Sequence, residues 1–329
     1  MKKKRILTAL LVLLLLLALS RLDGESLLYS LKQIPLWAAV LLIGMQIVTQ
    51  ILVNLQWHQI AKLSVPSISF WDMMYINCQG ALMDSITPGV KIGGEITRAV
   101  QISKIANCSG EGAASIVAVQ KMFSLSALFF IQLFAVGYFI GHVPFLQGIY
   151  LQILIYAVLI LFLLVFAGIF FAPNRIRAYL QAKESSRFSC LRKVQSFLLS
   201  LTEHVSHIRK NKRVWVMLFL LSVIIWLLYP VKMYILVLQV SPGVSLLYIG
   251  AIAFISYMVA MLPIFPGGLG GFEGTMTGLL LVVGLTVSSA AVITILFRFV
   301  TFWFVMLLSL AYIPLYKSGK KRAHSRNMG

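Results

Sequence analysis

Long apolar runs constrain this chain more than any other feature of its sequence. A helix that crosses a bilayer needs about 20 apolar residues, and six runs of comparable length occur, at 34–55, 113–140, 149–172, 214–240, 244–262 and 290–316. The composition agrees, because 60% of the residues are hydrophobic and only 11% are charged, which is atypical of soluble domains. The sequence therefore predicts an all-α polytopic membrane protein.

Two shorter runs bring the expected topology to about eight transmembrane helices. The run 6–20 follows a basic cluster and has no small-residue cleavage site after it, so we expect an uncleaved first helix and not a signal peptide. The run 275–284 supplies the other crossing. With a cytoplasmic N-terminus, segment 66–112 must begin and end on the cytoplasmic side, so it either re-enters the membrane or crosses it twice.

Basic residues set the expected orientation. The formal net charge is +19, ten of the 28 Lys and Arg lie between Arg175 and Arg213, and others crowd 2–5 and 317–326. The short loops 142–147, 241–244 and 285–289 contain none. This asymmetry predicts a protein of the cell (inner, cytoplasmic) membrane with both termini in the cytoplasm. Such clusters attract anionic lipid headgroups, and their distribution argues against nucleic-acid binding.

Two segments with one pattern interrupt the apolar sequence. Residues 88–97 and 266–275 both read PGxxxGxExT. We expect a single integral membrane domain with two repeat-like halves, divided into 1–172 with a motif at 87–98, a cytoplasmic loop at 173–213, 214–316 with a motif at 263–275, and a basic tail at 317–329. Paired Gly/Pro interruptions of this kind indicate the substrate site of repeat-built transporters. Two re-entrant segments are therefore expected.

The motifs and the intramembrane cations form the predicted binding site. Pro ends helices and Gly allows close backbone approach, so freed amides can hold an anionic group such as a phosphate. Charges at membrane depth are costly and usually functional, and Asp84 is expected to help the motif glutamates balance the cations. The candidate substrate-binding residues are Pro88, Gly89, Gly93, Glu95, Arg98, Lys121, Lys232, Pro266, Gly267, Gly270, Gly271, Glu273 and Arg298.

A purely structural interpretation of these residues stays open. Glu95 and Glu273 could cap the helices that follow them, and the glycines could only permit tight packing. Lys121 and Lys232 could extend to the membrane interface, whereas Arg298 lies too deep. Four tryptophans are expected to be interfacial anchors, namely Trp57, Trp71, Trp215 and Trp226.

Other site chemistries have little support. The three cysteines Cys78, Cys108 and Cys190 lack CxxC spacing, so neither a disulfide framework nor a zinc site is expected. His204 and His207 lie in the basic loop, where an amphipathic helix is a better interpretation than a metal site. The sequence contains neither GxxxxGK[ST] nor GxSxG, so we expect no nucleotide hydrolysis, no cofactor and no catalytic residue.

The motif residues resemble those of the lysylphosphatidylglycerol synthetase transmembrane-region family, the flippase-like membrane domain of the multiple peptide resistance factor. The resemblance extends over nearly the whole chain and is carried by segments 87–98, 266–273 and 298–303. Where the family tends to show a Glu-Arg pair followed by Asp, this chain has Gln120, Lys121 and Ser124.

The resemblance implies movement of a charged or glycosylated lipid between leaflets, in a family linked to antibiotic resistance. Full-length relatives add a soluble transferase domain, and we expect this chain to lack it and to lack lysyltransferase activity by itself. The expected partners are an anionic or glycosylated membrane lipid and a separate lipid synthase or glycosyltransferase, and an oligomer is left open. The alternatives are a membrane scaffold for such a synthase, or an intramembrane transferase with Glu95 or Glu273 as general base and Arg98 or Arg298 on the phosphate.

Overall fold

The described part of the chain is helical. The computed structural model describes residues 24–87, 92–140, 148–182, 189–261 and 268–326, and these contain helices and no strand. In chain order the helices are α1 (Gly24–Lys32), α2 (Leu36–Lys62), α3 (Phe70–Ile86), α4 (Ile92–Ala106), α5 (Gly110–Ile140), α6 (Ile149–Phe171), α7 (Pro173–Ala182), α8 (Ser189–Lys210), α9 (Lys212–Leu238), α10 (Leu246–Ala260), α11 (Gly271–Val282), α12 (Val287–Arg298) and α13 (Phe304–Arg326). A π-helical turn, Phe299–Trp303, joins α12 to α13. The predicted all-α class is confirmed.

Within the described ranges, five helical stretches are long and apolar enough to cross a membrane. They are Leu36–Lys62, Gly110–Tyr138, Gln152–Phe171, Lys212–Leu238 and Val287–Lys320. The protein is therefore a polytopic α-helical membrane protein, as predicted. The apolar run 244–262 forms only the 15-residue α10, which is about 22 Å long at 1.5 Å per residue. The count of eight crossings is not confirmed, and the run 6–20 lies outside the described residues.

Packing separates the described residues into two compact units. Those of the first unit fall within Met1–Ile47, Ser85–Lys91 and Leu228–Val305. In it, α11 packs against α10 and α12, and α12 packs against α1. Phe272, Ile293 and Phe297 are buried in this packing.

The second unit is built around α5. Its described residues fall within Val48–Asp84, Ile92–Leu227 and Met306–Gly329, and α5 packs against α4, α6 and α8. The amphipathic helix α8 inserts Leu201, Val205 and Ile208 into the core of this unit. The segment predicted as a basic loop is thus largely helical. A helix suits it because its charged residues lie on one face, toward water, and its aliphatic residues lie on the other face and pack inward.

Helix order and length recur along the chain. Both α2 and α9 have 27 residues, and α9 begins at Lys212, 176 residues after α2 begins at Leu36. The pair α3 and α4 begins at Phe70 and the pair α10 and α11 at Leu246, again 176 residues later. Each pair encloses one PGxxxGxExT motif, and each is followed by a helix that starts within five residues of the pair's end. The sequence motif thus belongs to a longer repeat of helices.

Candidate functional site

The first motif lies at the turn of an antiparallel helix hairpin formed by α3 and α4. Across this hairpin, Asp84 Oδ2 accepts hydrogen bonds from both Nη atoms of Arg98 at 3.1 Å, and Asp84 Oδ1 accepts from the Gly94 amide at 3.1 Å. The guanidinium also lies 5.5 Å from the ring centroid of Trp57. These contacts tie the charged groups of α3 and α4 together within the second unit.

Two glycines make room for this ion pair. A Cβ atom at Gly80 would lie 2.5 Å from Arg98 Cζ, and a Cβ atom at Gly94 would overlap the Asp84 carboxylate and the Gly80 carbonyl oxygen. Because that carbonyl belongs to the backbone of α3, a side chain at Gly94 requires the two helices to move apart, whereas a side chain at Gly80 requires the Arg98 side chain to shift. The side chains of Arg98 and Asp84 are 11% and 13% exposed. Two charges buried to this extent need each other as partners, because their attraction must offset the cost of removing both from water.

The motif glutamate of the first hairpin pairs with a cation on the next helix. Glu95 Oε1 lies 2.8 Å from Lys121 Nζ, and the two side chains are 27% and 28% exposed. In the same turn, Thr97 Oγ1 donates to the Gly93 carbonyl at 2.8 Å. Lys121 therefore bonds inside the second unit, where the sequence had left extension to the membrane interface as an alternative.

The second motif precedes α11 in a hairpin with α10. Tyr257 and Phe272 pack edge to face with 5.0 Å between ring centroids. Gly270 has a φ of 84° as the residue before α11, in the left-handed region that favours glycine. Its amide donates to Glu273 Oε2 at 2.7 Å. Glu273 thus caps its own helix, as the structural interpretation expected.

The same carboxylate also holds a buried cation. Glu273 Oε1 lies 2.8 Å from Arg298 Nε, and the Arg298 side chain is 8% exposed. The guanidinium lies 4.8 Å from the ring centroid of Phe272 and 4.4 Å from that of Phe302, distances at which cation–π attraction is favourable. The π-helical turn begins at the next residue, and such turns are frequent at functional sites.

The two motif glutamates therefore have equivalent partners. Lys121 is the twelfth residue of α5 counted from Gly110, and Arg298 is the twelfth residue of α12 counted from Val287. Aligning the motifs places Met276 where the first half has Arg98. The Glu–cation pair thus occurs in both halves, whereas the Asp84–Arg98 pair occurs in the first half alone among the residues described.

A further predicted cation is deeply buried in the first unit. Lys232 has no exposed surface, its Nζ donates to Gln46 Oε1, and it lies 4.4 Å from the ring centroid of Tyr229. This burial excludes the alternative in which Lys232 extends to the interface. An amide oxygen and an aromatic face together compensate part of the desolvation of the ammonium group.

The predicted site residues therefore divide between the two units. Gly93, Glu95, Arg98 and Lys121 lie in the second unit, and Lys232, Gly270, Gly271, Glu273 and Arg298 lie in the first. Four predicted residues, Pro88, Gly89, Pro266 and Gly267, lie outside the described residues. The hypothesis that both motifs line one polar cavity stays a prediction.

Some contacts of the candidate site were not predicted from the sequence. Trp57 and Trp226 were expected at the interface, but they are only 3% and 9% exposed. Trp57 faces Arg98, and Trp226 Nε1 donates to the Ser124 carbonyl at 2.9 Å. One pattern in the sequence does indicate the Asp84–Arg98 pair. Each of these two residues lies four positions after a glycine, about one helical turn, so the glycine and the charged residue share one face of their helix.

Comparison with known proteins identifies the family. A family model described as the lysylphosphatidylglycerol synthase TM region matches residues 5–309. The chain is also similar to a UPF0104 membrane protein of Methanocaldococcus jannaschii, with 28% identity over 78% of each chain. A UPF0104 membrane protein of Methanothermobacter thermautotrophicus is 26% identical over 73% of each chain. A third, from Pyrococcus horikoshii, is 24% identical over 82% of this chain and 84% of its own length.

The match confirms the resemblance on which the sequence prediction relied. It includes both helix hairpins, both Glu–cation pairs and the buried Lys232. The chain belongs to the lysylphosphatidylglycerol synthase transmembrane-region family.

Proposed function

We propose that this chain moves a lipid with a charged or glycosylated headgroup between the leaflets of the cell membrane. The headgroup passes along polar groups inside the protein while the hydrocarbon chains stay in the lipid. The observation that carries the proposal is the pairing of each motif glutamate with a cation at the equivalent position of the following helix.

A contribution to the stability of the folded protein does not explain why ion pairs of this kind are present. Desolvating two charges costs several kcal/mol per ion, about as much as the pairing returns, and apolar residues of similar volume usually serve a buried position as well. Charged residues at membrane depth are usually functional, and an ion pair there can exchange one of its partners for a charged ligand. In the empty protein Glu273 neutralises Arg298, and an anionic headgroup competes for the same guanidinium during transport.

The hairpins also suit a transporter. With 17 and 15 residues, α3 and α4 are about 25 Å and 22 Å long, shorter than the hydrocarbon core of about 30 Å. We therefore interpret each hairpin as re-entrant, with α2, α5, α6, α9 and the α12–α13 pair as full crossings. The cytoplasmic location of both termini stays a prediction from the basic clusters.

This topology gives an inverted repeat. A cytoplasmic basic segment at α7 and α8 makes α2 run inward and α9 run outward, so the first hairpin enters from the cytoplasmic face and the second from the opposite face. Inverted repeats with broken helices at their substrate sites are common in secondary transporters. Single-cysteine labelling with an impermeant reagent tests each hairpin, since residues just before α3 and residues just after α11 should react from opposite sides.

Reconstitution tests the function itself. Purified protein in liposomes should make chain-labelled phosphatidylglycerol and its aminoacylated form accessible to an impermeant headgroup reagent, at a rate well above that of empty liposomes. An unchanged rate would overturn the proposal and leave the scaffold hypothesis. A change in the mass of the lipid would instead favour an intramembrane transferase. Lipid analysis of a deletion strain would then identify the cargo, because its headgroup should accumulate or disappear.

A further inference from the structure

An apolar cavity in the second unit lies outside the candidate transport site. Its volume is about 230 Å³, and its walls come from α5, α6, α8 and α9, with Met122, Phe123, Phe166, Phe170, Val205 and Trp215 among the lining residues. None of the candidate site residues lines it. Two of its four walls, α6 and α8, lie between the two repeats and belong to neither.

The cavity is long enough for part of one hydrocarbon chain. Its lining on α6 runs from Leu163 to Phe171, which is about 12 Å of helix. Aromatic contacts hold the walls, with 5.9 Å between the ring centroids of Phe123 and Phe170 and 5.5 Å between those of Phe170 and Trp215. A hydrocarbon chain that fills such a cavity supplies dispersion contacts that the lining residues otherwise lack.

One end of the cavity is basic. Phe171 lines the cavity and ends α6, and its carbonyl accepts a hydrogen bond from Arg209 Nη1 at 2.6 Å. On the adjoining helix, the exposed Lys212 and Arg213 precede the lining residue Trp215 by three and two residues. Cationic side chains beside an apolar channel complement a molecule with an anionic head and an apolar tail.

We propose that this cavity binds one hydrocarbon chain of an anionic phospholipid, with the phosphate held by Arg209 and the basic start of α9. The bound lipid is separate from the transported one and stabilises the packing of α6 and α8 against α5. The proposal does not rest on lipid transport, because it uses none of the residues assigned to that function.

Photolabelling tests the site in the purified full-length protein. The probes are phosphatidylglycerol and phosphatidylcholine with the same diazirine-bearing chains, and a free fatty acid with that chain. Phosphatidylglycerol should label peptides from α6 and α9 several-fold more than the other two probes. Ala167→Phe fills the channel and should remove most of this labelling, while Ala157→Phe, the same change at an exposed position of α6, should not.

The headgroup contact has its own variant. Arg209→Gln should lower phosphatidylglycerol labelling several-fold and phosphatidylcholine labelling much less, because the choline cation already weakens the attraction of that headgroup to the basic end of the cavity. Three results would overturn the proposal. The wild-type protein could be labelled equally by the two phospholipids, or as strongly by the free fatty acid as by phosphatidylglycerol. Phosphatidylglycerol could also label Ala167→Phe as strongly as Ala157→Phe. The wild-type comparison stays decisive even if Ala167→Phe fails to fold. If the wild-type protein is labelled as expected but moves no lipid in liposomes, that result counts against the proposed function alone.

Discussion

Glu273 uses its two carboxylate oxygens for different partners: Oε2 accepts from the Gly270 amide at 2.7 Å and Oε1 binds Arg298 Nε at 2.8 Å. The start of α11 and the charge of α12 are therefore coupled through one side chain. A ligand that competes for Arg298 would alter the balance of forces at the helix cap. In the proposed transport function, this coupling would transmit headgroup binding at Arg298 to the start of α11.

Removing either charge of this pair should abolish lipid translocation. Glu273→Gln keeps an acceptor for the Gly270 amide but leaves Arg298 without its counter-charge, and Arg298→Ala removes the group proposed to bind the headgroup. Breaking a buried pair costs about 3–5 kcal/mol, so both variants should be expressed and elute as folded protein but unfold at lower temperature. Translocation in liposomes at matched protein content is the measurement.

The matched control for the charge change is Glu203→Gln. This residue is exposed on α8, and its variant should transport normally. Wild-type rates in both Glu273→Gln and Arg298→Ala would remove the site assignment.

The first hairpin should reject any side chain at Gly94. In Gly94→Ala the new Cβ would overlap the backbone carbonyl oxygen of Gly80 on α3, so the helices must separate, at a cost of about 1–3 kcal/mol. The control is Gly278→Ala in α11, where nothing lies within 4 Å of the new atom, and where alanine should be neutral or up to about 1 kcal/mol stabilising. Thermal unfolding in detergent compares the two, and equal midpoints would contradict the packing argument.

Glu95 and Lys121 should act as one unit in transport. Because their side chains are joined at 2.8 Å, Glu95→Gln and Lys121→Gln should each slow translocation, and the double variant should be no slower than the worse single one. Lys121→Arg, which keeps the pair, should transport at close to the wild-type rate. Additive losses in the double variant would mean that the two residues contribute independently.

Acid should loosen α8 through His204. Burial lowers the pKa of His204 below its usual 6.5, against the opposing effects of the Ser200 carbonyl and Glu203, and the ring lies 2.5 Å from Ser115 Oγ on α5. The folded state then binds the proton more weakly than the unfolded state, so this contribution to stability is complete above pH 6.5 and declines as the pH falls below it.

The measurement is the unfolding midpoint at about pH 7.5 and about pH 5.5, on either side of the usual histidine pKa. Wild-type protein should lose more stability on acidification than His204→Gln. His207→Gln, at an exposed position of the same helix, removes a charge that lowers the His204 pKa and should reduce the acid loss far less than His204→Gln does. An identical acid loss in His204→Gln would show that another group is responsible.

The basic tail should matter little for transport. Lys320 Nζ lies 3.2 Å from Asp72 Oδ1, but the lysine side chain is 62% exposed, and such surface pairs contribute at most about 1 kcal/mol. Neutralising Lys320, Lys321 and Arg322 should weaken attraction to anionic vesicles and leave translocation nearly unchanged. Complete loss of translocation would point instead to a mechanism on the cytoplasmic surface.

Local patterns carried most of what could be predicted from the sequence. Hydropathy located the runs that became α2, α5, α6 and α9, because a helix at membrane depth needs about 20 apolar residues regardless of its neighbours. Glycine and proline located both hairpins, because their backbone preferences act within a few residues. The PGxxxGxExT motifs also identified Glu95 and Glu273 as special positions and carried the family resemblance.

The amino-acid sequence alone thus determined the fold class, the apolar spans, the two broken segments and the family. Tertiary structure decided which charges meet: Asp84 with Arg98, Glu95 with Lys121, and Glu273 with Arg298. The three ion pairs join residues 14 to 26 positions apart, and whether such side chains touch depends on how closely two helices pack. That distance is set by side-chain volume at the contact, such as the missing Cβ atoms of Gly80 and Gly94, and not by the pattern of either helix.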